Sequence, residues 1–449
     1  MSPNGNRIPP GPKGLPILGI ALDIRKDALG TLLRLAREYG DIVRFPVVRQ
    51  DRFLLSHPDY IEQVLNIEQS KFHKSVLTKK ITEPLLGQGL LTSKGEVWRR
   101  QRRLAQPAFH KSRINEYASP MIDIALSHMR GWKDGEQRDV AADMMAVTLD
   151  IAVRTLFGTT LTAQAQRVGH AMTFLMRYQL ARQRSPIRLP QTWPTPNNRR
   201  SRRDREFLDS LVYGIIEERR ANASSDQNDL LSLLIGAMDE DGSRMTPKQL
   251  RDETMTIFLA GHETTAQMLA WTWYLLSENP AAEARLHEEL DGVLGGRPPE
   301  VADLRQMPYL QAVQNEALRL YPPAYILART SIEPCEIGGY ELPADSTILM
   351  SQWVVHRDPR YFEDPEAFRP GRWLDGLADR LPASAYFPFG HGPRRCIGQG
   401  FAQLEAAIVV GTIAQKFRLA LVPGHPVVPE PLVTLRPRHG IRMTLHPRN

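Results

Sequence analysis

Cysteine is nearly missing: among 449 residues only Cys335 and Cys396 carry a thiol. Two thiols in so long a chain exclude the disulfide framework that holds small secreted domains together. A single bridge between them stays open at this level, but a reducing, cytoplasmic setting is the expectation. Long hydrophobic runs are missing too. Nowhere do about 18 uncharged apolar residues follow one another, so no transmembrane segment is expected, unless an anchor was removed. The start, "MSPNGNRIPPGPKGLPILG", has no basic region followed by a long apolar stretch, and the run Leu15 to Leu22 is short and broken by Pro16 and Gly19. Internal repeats and low-complexity tracts are absent.

What is present points to a globular protein. Hydrophobic residues make up 42% of the chain, ample for a large core, while a mean hydropathy of −0.34 keeps it within the soluble range. The length alone would allow two or three domains. A net charge of +7 and a pI near 9.4 fit an acidic partner, an anionic membrane surface or nucleic acid without choosing among them.

Residues 1–30 read as an extended Pro/Gly-rich lead-in. A helix over Leu32 to Tyr39 and strands in "DIVRFPVV" and "RFLLS" follow. A helix-rich body spans about 94–321. In it, "DVAADMMAVTLDIAVRTLFG" keeps apolar residues at helical spacing up to Gly158, a C-cap. "REFLDSLVYGIIEERR" repeats that pattern, and the Pro-rich stretch 185–198 interrupts it. Thr246-Pro247 opens one long helix and Asn279-Pro280 stops it. Two more helices are expected in 281–321. Residues 326–449 hold β elements, a cysteine loop and a last helix over 397–417, with "CEIGGYELPADSTILM" reading as a hairpin. The expectation is a mainly α fold with small β-sheets, in one domain over 1–449.

The cysteine loop, "FGHGPRRCIGQG" at 389–400, carries the chemistry. Its glycines permit positive φ and let backbone N–H groups approach sulfur. A helix beginning just after Cys396, with Arg394 and Arg395 beside it, favours thiolate over thiol. A buried, inert cysteine is the commoner fate of a free thiol. Against it stands the whole F-G-x-G-x-R-x-C-x-G pattern, which arises by chance on the order of once in a million chains of this length. A metal ligand is therefore expected at Cys396. Zinc is disfavoured, because no second Cys or His stands at a familiar spacing.

Three other stretches are ambiguous alone. Glu316 and Arg319 lie three apart on a helix and form, by default, a surface ion pair of little worth. In "AGHETT" (260–265), Thr264 can return its hydroxyl to a carbonyl one turn earlier and Gly261 weakens the ladder nearby, which allows a local bulge; the bland reading is small-residue helix packing. In "GEVWRRQRRL", Trp98 and Arg102 are four apart on one face of a basic helix, most of whose charges would be solvated.

Together and in this order, these motifs resemble the cytochrome P-450 family over nearly the whole chain, from "PPGPKGLPILG" through "WRRQRR", "AGHETT", "EALR" and "FRPGRW" to the cysteine loop. The resemblance implies a cytochrome P-450-type fold holding heme b (iron protoporphyrin IX), with the Cys396 thiolate as proximal iron ligand. It implies that Phe389 and Gly398 belong to the heme-binding loop, with Trp98, Arg102, Arg394 and Arg329 as partners for the heme propionates, a task suited to forked guanidiniums. It implies an acid–alcohol pair, Glu263 and Thr264, that hydrogen-bonds dioxygen and relays protons. Glu316, Arg319 and Arg372 match a buried structural network. By analogy the substrate pocket would draw on residues 70–90, on Met172, Phe174, Leu175 and Met176, and on Ala260 and Ala324 to Ile326. Their apolar character suits a lipophilic substrate, a fatty acid or terpenoid. His391 is expected to help only the loop's shape, and Cys335 reads as structural.

The implied activity is a heme-thiolate monooxygenase, an oxidoreductase hydroxylating that substrate with dioxygen and two electrons. Only 53 residues follow Cys396 (449 − 396), too few for a reductase module. A separate ferredoxin or flavodoxin with an NAD(P)H-dependent reductase is expected, docking near Arg99, Arg100 and Arg103. No nucleic acid partner is expected, and at most peripheral membrane contact, for which the Trp193 loop and Arg199, Arg200, Arg202, Arg203 and Arg205 are candidates. The alternatives are a peroxide-using or rearranging heme-thiolate enzyme, which would not need the acid–alcohol pair, and a non-enzymatic heme sensor. A nucleic-acid binder would explain the pI alone.

Overall fold

The structure, a computed structural model, describes residues 8–448 except 159–163, 186–188, 222–228, 239–241 and 243. Part of the Pro-rich stretch 185–198 and the side chains of 76–79, within the expected pocket wall, lie outside the described residues. The chain forms two compact units: Met1–Thr78 with Asn315–Cys396, and Lys79–Gln314 with Ile397–Asn449. The first is built on a sheet and the second on helices, so the fold is mainly α with small β-sheets.

In the first unit five strands lie in the order Ile42–Val47, Gln50–Leu55, Thr347–Met350, Leu327–Ser331, Phe72–Lys74. Pro46 sits on an edge strand, where a missing N–H costs no ladder bond. Strand alternation sends Phe53 and Leu55 to one face with Ile348, Met350 and Phe387, and Leu54 to the other with Phe45 and the helix residues Leu32 and Leu35. That helix, Ala28–Tyr39, extends the expected element by one turn because Asp27 caps it, accepting from Gly30 N–H at 2.9 Å.

The expected hairpin closes sooner than its sequence suggests. Cys335–Ile337 pairs with Tyr340–Leu342 around Gly338 and Gly339, both at positive φ (57° and 79°). Pro343 and the left-handed Asp345 (φ 60°) then turn the chain away, and Thr347–Met350 joins the larger sheet.

The second unit centres on the helix Pro247–Glu278, packed against Val140–Phe157. Its start is a capping box: Gln249 N–H donates to the Thr246 hydroxyl at 3.2 Å and Thr246 N–H to the Gln249 side chain at 2.9 Å. Val140–Phe157 starts at Asp139, which accepts from the N–H groups of Ala141 and Ala142, and ends at left-handed Gly158 (φ 59°). The bulge that "AGHETT" permits does not form. The helix stays α-helical through 260–265, with the Thr264 and Thr265 hydroxyls bonded to the carbonyls of Ala260 and Gly261 as additional donors. The last helix is Gln399–Lys416, and small sheets join Gln137–Asp139, Arg442–Pro447 and Phe417–Leu421. Among the described residues no helix is long and apolar enough to cross a membrane.

The long helix also buries acid. Asp252 accepts from Gln88 N–H at 2.9 Å and Glu253 from Leu90 N–H at 3.0 Å. The second oxygen of Glu253 is buried without a partner. Burial first, then neighbouring Asp252, pushes Glu253 up to about 8. The folded chain thus holds a proton that the unfolded chain releases near pH 4.5. Stability should fall as pH rises from there to about 8, then level off. Glu253→Gln should flatten that stretch, so its Tm advantage over the wild type grows from about pH 5 to about pH 8. Parallel Tm curves would count against a neutral Glu253.

Candidate active site

Within the first unit the cysteine loop is closed by its own backbone. Cys396 N–H donates to Phe389 C=O at 2.9 Å, Gly390 N–H to Phe387 C=O at 2.9 Å, and Arg395 N–H to Gly392 C=O at 3.0 Å. Gly392 needs its left-handed φ of 68°, and a Cβ there would also collide with the carbonyl of Leu65. Cys396 is exposed, whereas Cys335 is buried, and no disulfide joins them.

The loop is clamped from a short helix. His391 Nε2 lies 2.7 Å from the Glu62 carboxylate, which also accepts from Ser384 at 2.8 Å and from Asn66 at 2.6 Å. Burial works to raise Glu62, but the hydrogen bonds from Asn66 and Ser384 and the neighbouring His391 hold it below its usual range. A π-helical turn, Gln63–Ile67, brings Leu65 against Gly392.

Cations gather around this thiol. Strand register sets Lys74 opposite Arg329. Burial first, then Arg394, lowers Arg329 to about 10. Burial, Arg329 and Arg394 together push Lys74 well below its ordinary range, while Cys396 pulls it back up. Such a cluster stabilises a thiolate and calls for further anionic charge. A soft sulfur donor beside guanidiniums suited to forked carboxylate recognition fits heme b with its two propionates. Cys396 would hold the iron, and Arg329, Arg394 and Lys74 would face acidic groups. Lys74 escaped the sequence reading; its only signal was a lysine in an otherwise inward-facing strand position.

The first unit also holds a buried polar core. Glu316 accepts from Arg319 at 2.8 and 2.9 Å, from Arg372 Nε at 3.1 Å, from Trp373 Nε1 at 2.8 Å and from Arg369 N–H at 2.9 Å. Arg319 also donates to the carbonyls of His356, Pro365 and Ala367 at 2.9, 2.6 and 2.9 Å. Burial, then Arg319 and Arg357, pushes His356 down to about 3. It therefore stays neutral and accepts the Phe387 N–H at 3.0 Å, two residues before the loop begins. Ala324 and Ile326 are half-buried on the approach to strand Leu327–Ser331.

The second unit carries the other candidates. From Leu250 to Trp273 the long helix is buried except at Ala260, Gly261 and Thr264, which share one face. The Thr264 hydroxyl donates to Ala260 C=O at 2.6 Å within that window. Glu263 points elsewhere. It is buried, with Arg436 Nη2 at 2.6 Å and Nε at 3.0 Å and a short hydrogen bond from Thr434. Arg436 in turn donates to Thr173 at 3.2 Å. The acid–alcohol neighbours thus occupy different environments, a division that could not be read from "AGHETT". Trp98 and Arg102 are half-buried on one face of Gly95–Ala105, while Arg99 and Arg103 are exposed. A Cβ on Gly398 would meet Phe109 at 3.6 Å, an ordinary contact, so its protein surroundings do not require glycine. Met172, Leu175 and Met176 are buried; Phe174 stacks on Tyr178 at 5.9 Å.

A cysteine loop of this form on a mainly helical fold defines the heme-thiolate class. The cytochrome P450 family model matches residues 9–444, and the chain belongs to that family. It is 38% identical to cyclooctatin synthase of Streptomyces melanosporofaciens over 97% of this chain and 95% of that protein. Cyclooctat-9-en-7-ol 5-monooxygenase of the same organism is 36% identical over 92% and 90%. Pentalenene oxygenase of Streptomyces avermitilis is 33% identical over 97% of each chain. Membership places the chain among oxidoreductases of the monooxygenase type.

Proposed function

We propose that this protein is a monooxygenase that hydroxylates a terpenoid with dioxygen and two electrons from a separate ferredoxin or flavodoxin and its NAD(P)H-dependent reductase. The Cys396 loop, closed by its backbone hydrogen bonds and carrying Arg394 and Arg395, carries the reading. The relatives' names favour a terpenoid over a fatty acid.

Bound heme b would supply oxygen activation and the oxidation of the C–H bond. Cys396 would contribute an anionic sulfur ligand, held in place by its N–H bond to Phe389 and by the Glu62–His391 clamp. Arg329 and Arg394 of the first unit would take propionates, and Trp98 and Arg102 of the second are the further candidates that the family resemblance gives for them. Thr264 is the hydroxyl at the uncovered window of the long helix, able to hold and pass a proton there. Glu263 serves as the proton source only after releasing Arg436 and changing rotamer, since its carboxylate is committed to that ion pair. Ala260 on the second unit, and Ala324 and Ile326 on the first, are the substrate contacts that the family resemblance proposes. Exposed Arg99 and Arg103 offer an acidic electron donor a place to dock.

A difference-spectrum screen of the holoprotein against cyclic terpenes and fatty acids tests the reading. A terpene is expected to give the substrate-type spin shift and to be hydroxylated when reductase and dioxygen are supplied. With that substrate, Thr264→Ala should keep its heme yet lose about 10- to 100-fold in product per electron pair, with peroxide formed instead. Unchanged coupling would remove Thr264 from proton delivery, and a response to fatty acids alone would overturn the substrate class.

A further inference from the structure

We propose that the end of the lead-in and the neighbouring hairpin tip form a docking site for an anionic lipid bilayer. Five large apolar side chains stand in solvent there: Leu15, Ile17, Leu18, Leu22 and Val48, each between 40% and 60% exposed. They are not scattered. The turn Leu15–Gly19 closes on itself through Leu15 N–H to Gly19 C=O at 2.9 Å and Gly19 N–H to Leu15 C=O at 2.8 Å. It is stitched to the tip of the hairpin formed by Ile42–Val47 and Gln50–Leu55, through Val48 N–H to Leu18 C=O at 3.2 Å and Arg49 N–H to Ile17 C=O at 3.1 Å. Backbone groups are therefore satisfied while the apolar side chains are left outside.

The backbone shows that this exposure is held against a cost. Ile17 has φ 67° and Val48 φ 48°. Both are β-branched, the kind of residue least suited to the left-handed region, where glycine or asparagine would sit with less strain. Strain of this sort persists where the surrounding structure enforces it. Behind the tips, Ile20, Val47 and Phe45 belong to the core. In front of them no described residue covers Ile17 or Val48.

Charge selects the occupant. On the short helix Ala21–Lys26, Ile24 packs toward the core, so Leu22 shares the outer face with Arg25 and Lys26, three and four positions on. Lys13 and Arg49 are exposed beside the two turns. Of the acids nearby, Asp27 is taken up as a helix cap and Asp51 pairs with Arg44 at 2.7 Å; Asp23 alone is uncommitted in these contacts. Apolar side chains on two projecting turns, rimmed by bases, match a yielding anionic surface into which the tips can insert.

The test is cosedimentation of the full-length holoprotein with vesicles of phosphatidylglycerol and phosphatidylcholine, or of phosphatidylcholine alone. The wild type is expected to pellet with the anionic vesicles and to lose about tenfold in binding at high salt or on phosphatidylcholine. The double variant Ile17→Asn/Val48→Asn should lose about tenfold in binding while its absorbance spectrum is unchanged and its Tm is equal or higher, because strain is relieved. Leu18→Ser, where no left-handed φ is involved, should weaken binding in the same direction. No binding by the wild type, equal binding to both vesicle types, or unchanged binding by these variants would overturn the proposal. So would a vesicle-independent dimer that the double variant abolishes, which would make the tips a self-association face. None of these outcomes depends on the substrate.

Discussion

Replacing Cys396 by histidine is expected to abolish the red-shifted Soret band of the reduced, carbon-monoxide-treated holoprotein and to cut monooxygenase turnover by about 10³-fold or more, a barrier increase of about 4 kcal/mol. The physical reason is charge. A thiolate donates a negative, polarizable sulfur that favours O–O cleavage, whereas a neutral imidazole does not. The change also removes the one anion that raises Lys74 among the cations Arg329 and Arg394. Cys335→Ser supplies the contrast. Burial first, then Glu68, pushes the Cys335 thiol up, and it sits inside the core with Ile337 and Leu342. Its replacement should leave the band unchanged. A thiolate-type band that survived in Cys396→His, in folded protein, would end the ligand assignment.

Glu316→Ala is expected to cost about 3–5 kcal/mol, the range found when one partner of a buried ion pair is removed. Arg319 is fully enclosed, and Arg372, Trp373 and the Arg369 N–H all converge on the same carboxylate. Deleting it leaves a guanidinium in the core with only carbonyls for company. The loss should also reach the cysteine loop, because Arg319 bonds to the His356 carbonyl and the His356 ring accepts from Phe387. Urea denaturation would measure the cost, and heme content would report the loop. Glu316→Gln should fall between the wild type and Ala, as it keeps an acceptor but no charge. A loss below about 1 kcal/mol would place this network with ordinary surface pairs.

Some of this architecture could be read residue by residue. Caps are local: Asp139, Gly158, Thr246 and Gln249 act within one turn of themselves, and each behaves in the structure as its type implies. Period and apolar pattern located the long helix for the same reason. Other readings failed because a local preference was overridden. The helix through 260–265 keeps its regular form although Gly261 and two threonines would allow a bulge. The hairpin ends at Leu342 because one left-handed residue, Asp345, redirects the chain.

The sequence by itself determined the family and the order of the elements, because motif, cap and period rest on short-range steric and hydrogen-bonding rules. Only the tertiary structure decided which charges meet. Glu263 stands next to Thr264 in the sequence, yet its carboxylate is held by Arg436 and Thr434 from the far end of the chain. Lys74 acquires its importance from a strand register that sets it opposite Arg329, and Glu62 from a turn that carries it to His391. Burial and Coulomb energy depend on distance through space, and separation along the chain does not encode that distance.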